Sequence, residues 1–268
     1  MRRPKQPPHH PRRILLALAA VLFALAGVIA AAAIITDHAA EWGLTTAAPA
    51  KQKTTKRAAH PLQWSDFTAQ RPLVYTALGD SLAQGYFATA KNKGYVYQLQ
   101  NLIQTQRQVP VKVHNFSENG GSITTVAFPQ LAEIDATKPD LVTVEFGTNE
   151  SVYDDPPASA TPTEFADHLR QLIQDLQAHT SAKIILVTTW HQPRSETYDA
   201  RVHQVAKEFS LPVADLTSIW KNADKNGAVS EKGAESFLGY GDGFHPSDTG
   251  HLLIARKINT QVAKLFNP

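Results

Sequence analysis

From residue 73 onward, short apolar runs alternate with stretches in which apolar residues recur every three to four positions. The runs are residues 74–78, 111–116, 141–146, 184–188 and 213–215. Each is brief and reads as a strand, and the first, β-branched and aromatic, reads as one covered on both faces. Between them, residues 95–106 place Tyr95, Leu99, Leu102 and Ile103 at helical spacing. Thr161-Pro-Thr-Glu164 is a capping box with proline at the first helical position. Phe165, Leu169, Leu172, Ile173 and Leu176 then form one apolar face. A further helix is predicted over residues 200–209. Ser247 caps a last one running to about residue 266, with Leu253, Ile254, Ile258, Val262 and Leu265 turned inward. Strands alternating with helices predict an α/β chain with a mostly parallel five-stranded sheet and helices on both faces. The sequence has no internal repeat.

A parallel sheet brings the carboxyl ends of its strands to one edge, where open α/β folds bind ligands. Three of those ends carry polar turns, at Asp80-Ser81, at Gly120-Gly121 and at Asn149. A fourth polar cluster, Asp242-Gly-Phe-His245-Pro246, precedes the last helix. Serine is a weak nucleophile without a base. His245 is the candidate base, and Asp242 the carboxylate that fixes its tautomer and stabilises its cation. Candidate oxyanion donors are the N–H of Ser81, the N–H of Gly120 and the side-chain amide of Asn149. Plainer readings exist: Ser81 as a helix-cap serine, Asn149 as a turn former, Asp242 and His245 as helix-entry residues. Asp80 reads as a turn-structuring carboxylate, His191 as a residue at the active edge, and Tyr240 and Phe244 as candidate pocket walls. His114, His168, His203 and His251 read as structural. The chain has no cysteine, which excludes a thiol nucleophile, a disulfide framework, a Cys-ligated zinc site and a lipoprotein anchor.

The segment before residue 71 has a different character. Residues 14–35 contain no charge, and 22 residues span about 33 Å as a helix, enough for a hydrocarbon core of about 30 Å. Arg2, Arg3, Lys5, Arg12 and Arg13 precede this run, which orients it with residues 1–13 in the cytoplasm and the remainder outside. The expected organisation is a basic segment (1–13), a membrane-spanning signal anchor (14–35), a linker (36–70) and a domain (71–268). Ala31-Ala32-Ala33 and Ala48-Pro49-Ala50 both satisfy a small-x-small cleavage rule, so secretion after signal cleavage is the alternative. The basic clusters lack interleaved aromatics, so nucleic acid is not an expected partner.

Four blocks, taken in order, resemble the SGNH (GDSL-type) hydrolases, a family of serine esterases and lipases. Gly79-Asp80-Ser81 matches the nucleophile block. Asn115-Phe-Ser-Glu-Asn-Gly120 is similar to the second block, with Ser117 where glycine is usual. Gly147-Thr-Asn149 matches the third, with Glu150 where aspartate is usual. Asp242-x-x-His245 followed by Pro246 matches the last. The resemblance covers about residues 72–268. It implies a three-layer α/β/α, flavodoxin-like fold, a Ser-His-Asp triad, and no metal or cofactor. A G-x-S-x-G elbow does not fit, because Leu82-Ala83 follows Ser81.

The expected function is a membrane-tethered, extracytoplasmic serine hydrolase acting on a small-molecule or polymer-borne carboxylic ester. An acyltransferase delivering acyl groups to a surface glycan through the same triad is one alternative. A non-catalytic surface-binding module is the other.

Overall fold

A computed structural model describes residues 62–152, 159–190 and 194–266. Its sheet has five strands: β1 (Leu73–Gly79), β2 (Val111–Ser117), β3 (Leu141–Glu145), β4 (Lys183–Val187) and β5 (Val213–Ala214). All neighbours pair parallel in the order β2-β1-β3-β4-β5, which puts the first strand inside the sheet. The expected mostly parallel, doubly covered sheet is what forms.

The helices are α1 (Ser81–Gln84), α2 (Tyr95–Arg107), α3 (Leu131–Ala136), α4 (Thr148–Val152), α5 (Pro162–His179) and α6 (Ser195–Phe209). Two short helices, α7 (Thr217–Trp220) and α8 (Ala223–Asn226), lead to a small hairpin of β6 (Glu235–Ser236) and β7 (Gly239–Tyr240), and α9 (Asp248–Leu265) ends the domain. Successive strand side chains point to opposite faces. Leu73, Tyr75, Ala77, Ile185 and Val187 therefore pack with Leu99 and Ile103 of α2 and Ile254, Ile258 and Val262 of α9. Leu78, Val142, Val144, Ile184 and Leu186 face the other way, onto Leu169, Leu172 and Ile173 of α5 and Val202 and Val205 of α6. Each such aliphatic side chain removed from water contributes about 1.5–3 kcal/mol, and this drives helices onto both sheet faces.

The capping box is present: Thr161 Oγ1 accepts from Glu164 N, and Thr161 N donates to the Glu164 carboxylate. Ser247 caps α9 by accepting from Gly250 N. Some boundaries differ from expectation. Helix α6 starts at Ser195 rather than residue 200. The end of the expected linker already belongs to the domain, because the Trp64 and Phe67 rings pack on Phe266 at 4.9 and 5.8 Å. The expected anchor (14–35) and His191 lie outside the described residues. Among the described residues no helix is long and apolar enough to cross a membrane.

Candidate active site

Strand β1 ends against β3 with Gly79 opposite Glu145. A Cβ on Gly79 would stand 2.7 Å from Ala83 Cβ and 2.8 Å from the Glu145 carbonyl oxygen, so only glycine allows this turn. Asp80 caps α1 through Oδ1, which accepts from Leu82 N at 2.9 Å. Ser81 thereby becomes the first helical residue, with its hydroxyl directed to the edge of the sheet.

There it meets the loop before α9. His245 Nε2 lies 2.9 Å from Ser81 Oγ, and His245 Nδ1 lies 2.6 Å from Asp242 Oδ2. Asp242 Oδ1 accepts from the backbone N–H groups of Phe244 and His245, both at 2.9 Å. Partial burial raises the Asp242 carboxyl, but the N–H groups and the imidazole outweigh it and hold the group below its usual value. An anionic Asp242 fixes the proton on Nδ1 and leaves Nε2 to accept the Ser81 O–H. The rings of Phe87, Phe244 and Tyr86 surround the imidazole at 5.2, 5.1 and 5.7 Å. Trp190, fully buried at the end of β4, donates its indole N–H to the Phe244 carbonyl at 2.7 Å and pins this loop to the sheet.

The mid-chain donors come to the same place. Asn149 Nδ2 donates to Gly121 O at 2.8 Å and to Asp80 Oδ2 at 3.1 Å, so the amide lies between the second loop and the nucleophile turn. Gly121 N closes its own turn onto Glu118 O at 2.9 Å. Gly120 precedes it at φ +74°, a conformation that favours glycine, and its N–H is not taken up inside that turn.

Two carboxylates are completely buried behind Ser81. Burial drives both Asp80 and Glu145 above the ordinary range, Glu145 further because the Asp80 charge adds to it. Asp80 takes the turn-structuring place the sequence predicts for it, whereas the parts played by Glu145 and Trp190 carry no signal in the sequence. The Phe244 ring meets the imidazole edge-on at 5.1 Å and does not line the cavity beside it. Tyr240, in contrast, stands 71 % exposed on β7, because a two-residue hairpin strand offers it nothing to pack against.

Beside His245 lies a cavity of about 290 Å³ lined by Phe87, Thr89, Val229, Ser230, Gly241 and Asp248, among others. Among the described residues, Asp135, Asp175 and His179 are grouped closely enough to hold a metal ion, but they sit on α3 and α5, apart from this site.

The sequence matches the family described as GDSL-like Lipase/Acylhydrolase over residues 77–253. The chain belongs to that family. No curated protein matches the sequence. Solved structures share the fold. A lipase/acylhydrolase from Enterococcus faecalis is 22% identical, with a TM-score of 0.59 over 73% of this chain and 98% of that one. A mutant of an acetyl-xylooligosaccharide esterase from Geobacillus is 22% identical, with a TM-score of 0.56 over 71% and 94%. A two-domain esterase active on acetylated mannans is 19% identical, with a TM-score of 0.59 over 74% of this chain but 50% of that one. This chain thus matches half the length of the two-domain enzyme. As a member of that family the protein is an ester-bond hydrolase.

Proposed function

We propose that this hydrolase cleaves carboxylic esters through Ser81, His245 and Asp242, and that a retained N-terminal helix tethers it to the outer face of a membrane. The observation that carries the catalytic reading is the continuous chain of contacts from Ser81 Oγ to His245 at 2.9 Å and from His245 to Asp242 at 2.6 Å. Ser81 Oγ attacks the acyl carbon while His245 Nε2 takes the hydroxyl proton. The oxyanion is received by the N–H groups of Ser81 and Gly120 and by the Asn149 amide. As the C–O bond to the alcohol breaks, His245 returns the proton to the leaving oxygen. Water then attacks the acyl-enzyme, giving its proton to His245, and the acid leaves as Ser81 regains its hydrogen. Small acyl esters, free or carried on a polymer, are the proposed substrates; two of the fold neighbours act on acetylated polysaccharides or their oligosaccharides.

The tether rests on the uncharged run at residues 14–35 and the five basic residues ahead of it. Replacing Ser81 with alanine in the full-length protein is expected to abolish p-nitrophenyl acetate hydrolysis and labelling by a fluorophosphonate probe. Hydrolysis at the wild-type rate in Ser81→Ala rules the mechanism out.

A further inference from the structure

Glu150 stands one residue after Asn149, only 3 % exposed, and its two carboxylate oxygens are divided between two loops. Oε1 accepts from Ile123 N at 3.1 Å, on the loop that carries Gly120 and Gly121. Oε2 accepts from Gly147 N at 2.9 Å, in the turn after β3 that presents Asn149. Asn149 laces the same two loops through Gly121 O. The Tyr198 hydroxyl of α6 lies within reach of both the Glu150 carbonyl, at 3.1 Å, and the nearer Ala160 carbonyl.

We infer that Glu150 is a positioning residue for the oxyanion site: its carboxylate, as the anion, clamps the Ile123 loop to the Gly147 turn and so sets the spacing between Gly120 N–H and the Asn149 amide. This rests on the reading of those two groups as oxyanion donors. The anion offers a strong acceptor to each N–H. The acid keeps only a weak hydroxyl acceptor on one side, which loosens the clamp there, and glutamine places a donor NH₂ on that side and breaks it. Displacing a catalytic donor by a fraction of an ångström to 1 Å is enough to change rate steeply.

The clamp is also poised to titrate. Burial raises the Glu150 carboxyl to about 7; its own backbone N–H and those of Ile123 and Gly147 pull it down, and the Asp80 charge pushes it up. The titratable groups facing it are Asp80 after β1 and Glu145 on β3, both acidic, with the Tyr198 hydroxyl on α6 within reach of its carbonyl. Because the folded value lies above the ordinary 4.5, the fold favours the acid, and stability from this group is lost as pH rises through 7. The proposed oxyanion geometry requires the other form, so activity from this group is gained over the same interval.

The test measures kcat, KM and the kcat–pH profile on p-nitrophenyl acetate for the full-length wild type, Glu150→Gln and Glu150→Asp, with kcat normalised to sites titrated by fluorophosphonate. Glu150→Gln is expected to lower kcat by on the order of 10- to 100-fold, to leave KM within about twofold, and to remove one proton from the acid limb. Glu150→Asp keeps the charge but reaches only one of the two loops, and is expected to fall between. Equal kcat per titrated site with an unchanged acid limb in both variants overturns the proposal, even if their melting temperatures fall. Failure of the function reading itself is distinct: wild type would then be inactive, or Ser81→Ala would be active.

Discussion

At the scale of single residues, the site spends its polar groups twice. Asn149 braces Gly121 and Asp80 before any substrate arrives, so the amide proposed to receive the oxyanion is held by the loops it serves. The bond to Gly121 fixes its orientation, and the longer one to Asp80 is the one that gives way when the proposed oxyanion forms. Replacing Asn149 with alanine is expected to lower kcat by about 10²–10³ with little change in KM, as read by initial rates on p-nitrophenyl acetate. A loss confined to KM would mean that the amide only binds ground-state ester. Ser81, Asn149, Asp242 and His245 were legible in the sequence because this chemistry calls for particular side chains at strand ends and helix entries. The roles of Glu145 and Glu150 were not, since a carboxylate in sequence does not say whether it ends in water or among backbone N–H groups. Trp190 was hidden for a related reason: its indole N–H partner lies 54 residues away.

Among elements, α9 does more than cover the sheet. His251, one turn into it and fully buried, accepts from Tyr95 N at 3.3 Å and donates through Nε2 to Tyr86 O at 2.7 Å. It joins α2, α9 and the loop whose Tyr86 and Phe87 rings flank the imidazole of His245. Burial lowers the His251 value from 6.5 to about 4, despite the Tyr86 carbonyl and Asp248 pulling it upward. The folded state thus excludes the proton that the unfolded chain takes up, and stability from this group is complete above 6.5 and lost progressively as pH falls toward 4. Between pH 6.5 and 5 the loss is about 2 kcal/mol. Asp80, Glu145 and Glu150 act in the opposite direction, but equally in any variant that leaves them intact. The gap in unfolding free energy between wild type and His251→Gln, measured by denaturant titration, is therefore expected to narrow from pH 7 to pH 5. A gap independent of pH contradicts this. The strands and the long helices could be read from periodicity. Helices α7 and α8 could not, because four residues are barely one turn and leave no period, and the β6–β7 hairpin pairs too few residues to alternate.

For the molecule as a whole, the proposed tether sets where the chemistry happens. Full-length protein is expected to sediment with membranes, to resist high-salt extraction, and to expose its domain to protease added outside the cell; recovery in the growth medium would instead indicate a cleaved signal. The domain itself is closed by its two ends, with Trp64 and Phe67 near its start resting on Phe266. The proposed proton-transfer pair spans nearly the same distance along the chain, as Ser81 and His245 are separated by 164 residues. During synthesis the serine is complete long before its base exists, and α9 must follow before the domain can close over both. On the proposed mechanism a nascent or prematurely terminated polypeptide lacks the base and is expected to be inert toward esters, so hydrolytic power arrives only with the final stretch of translation.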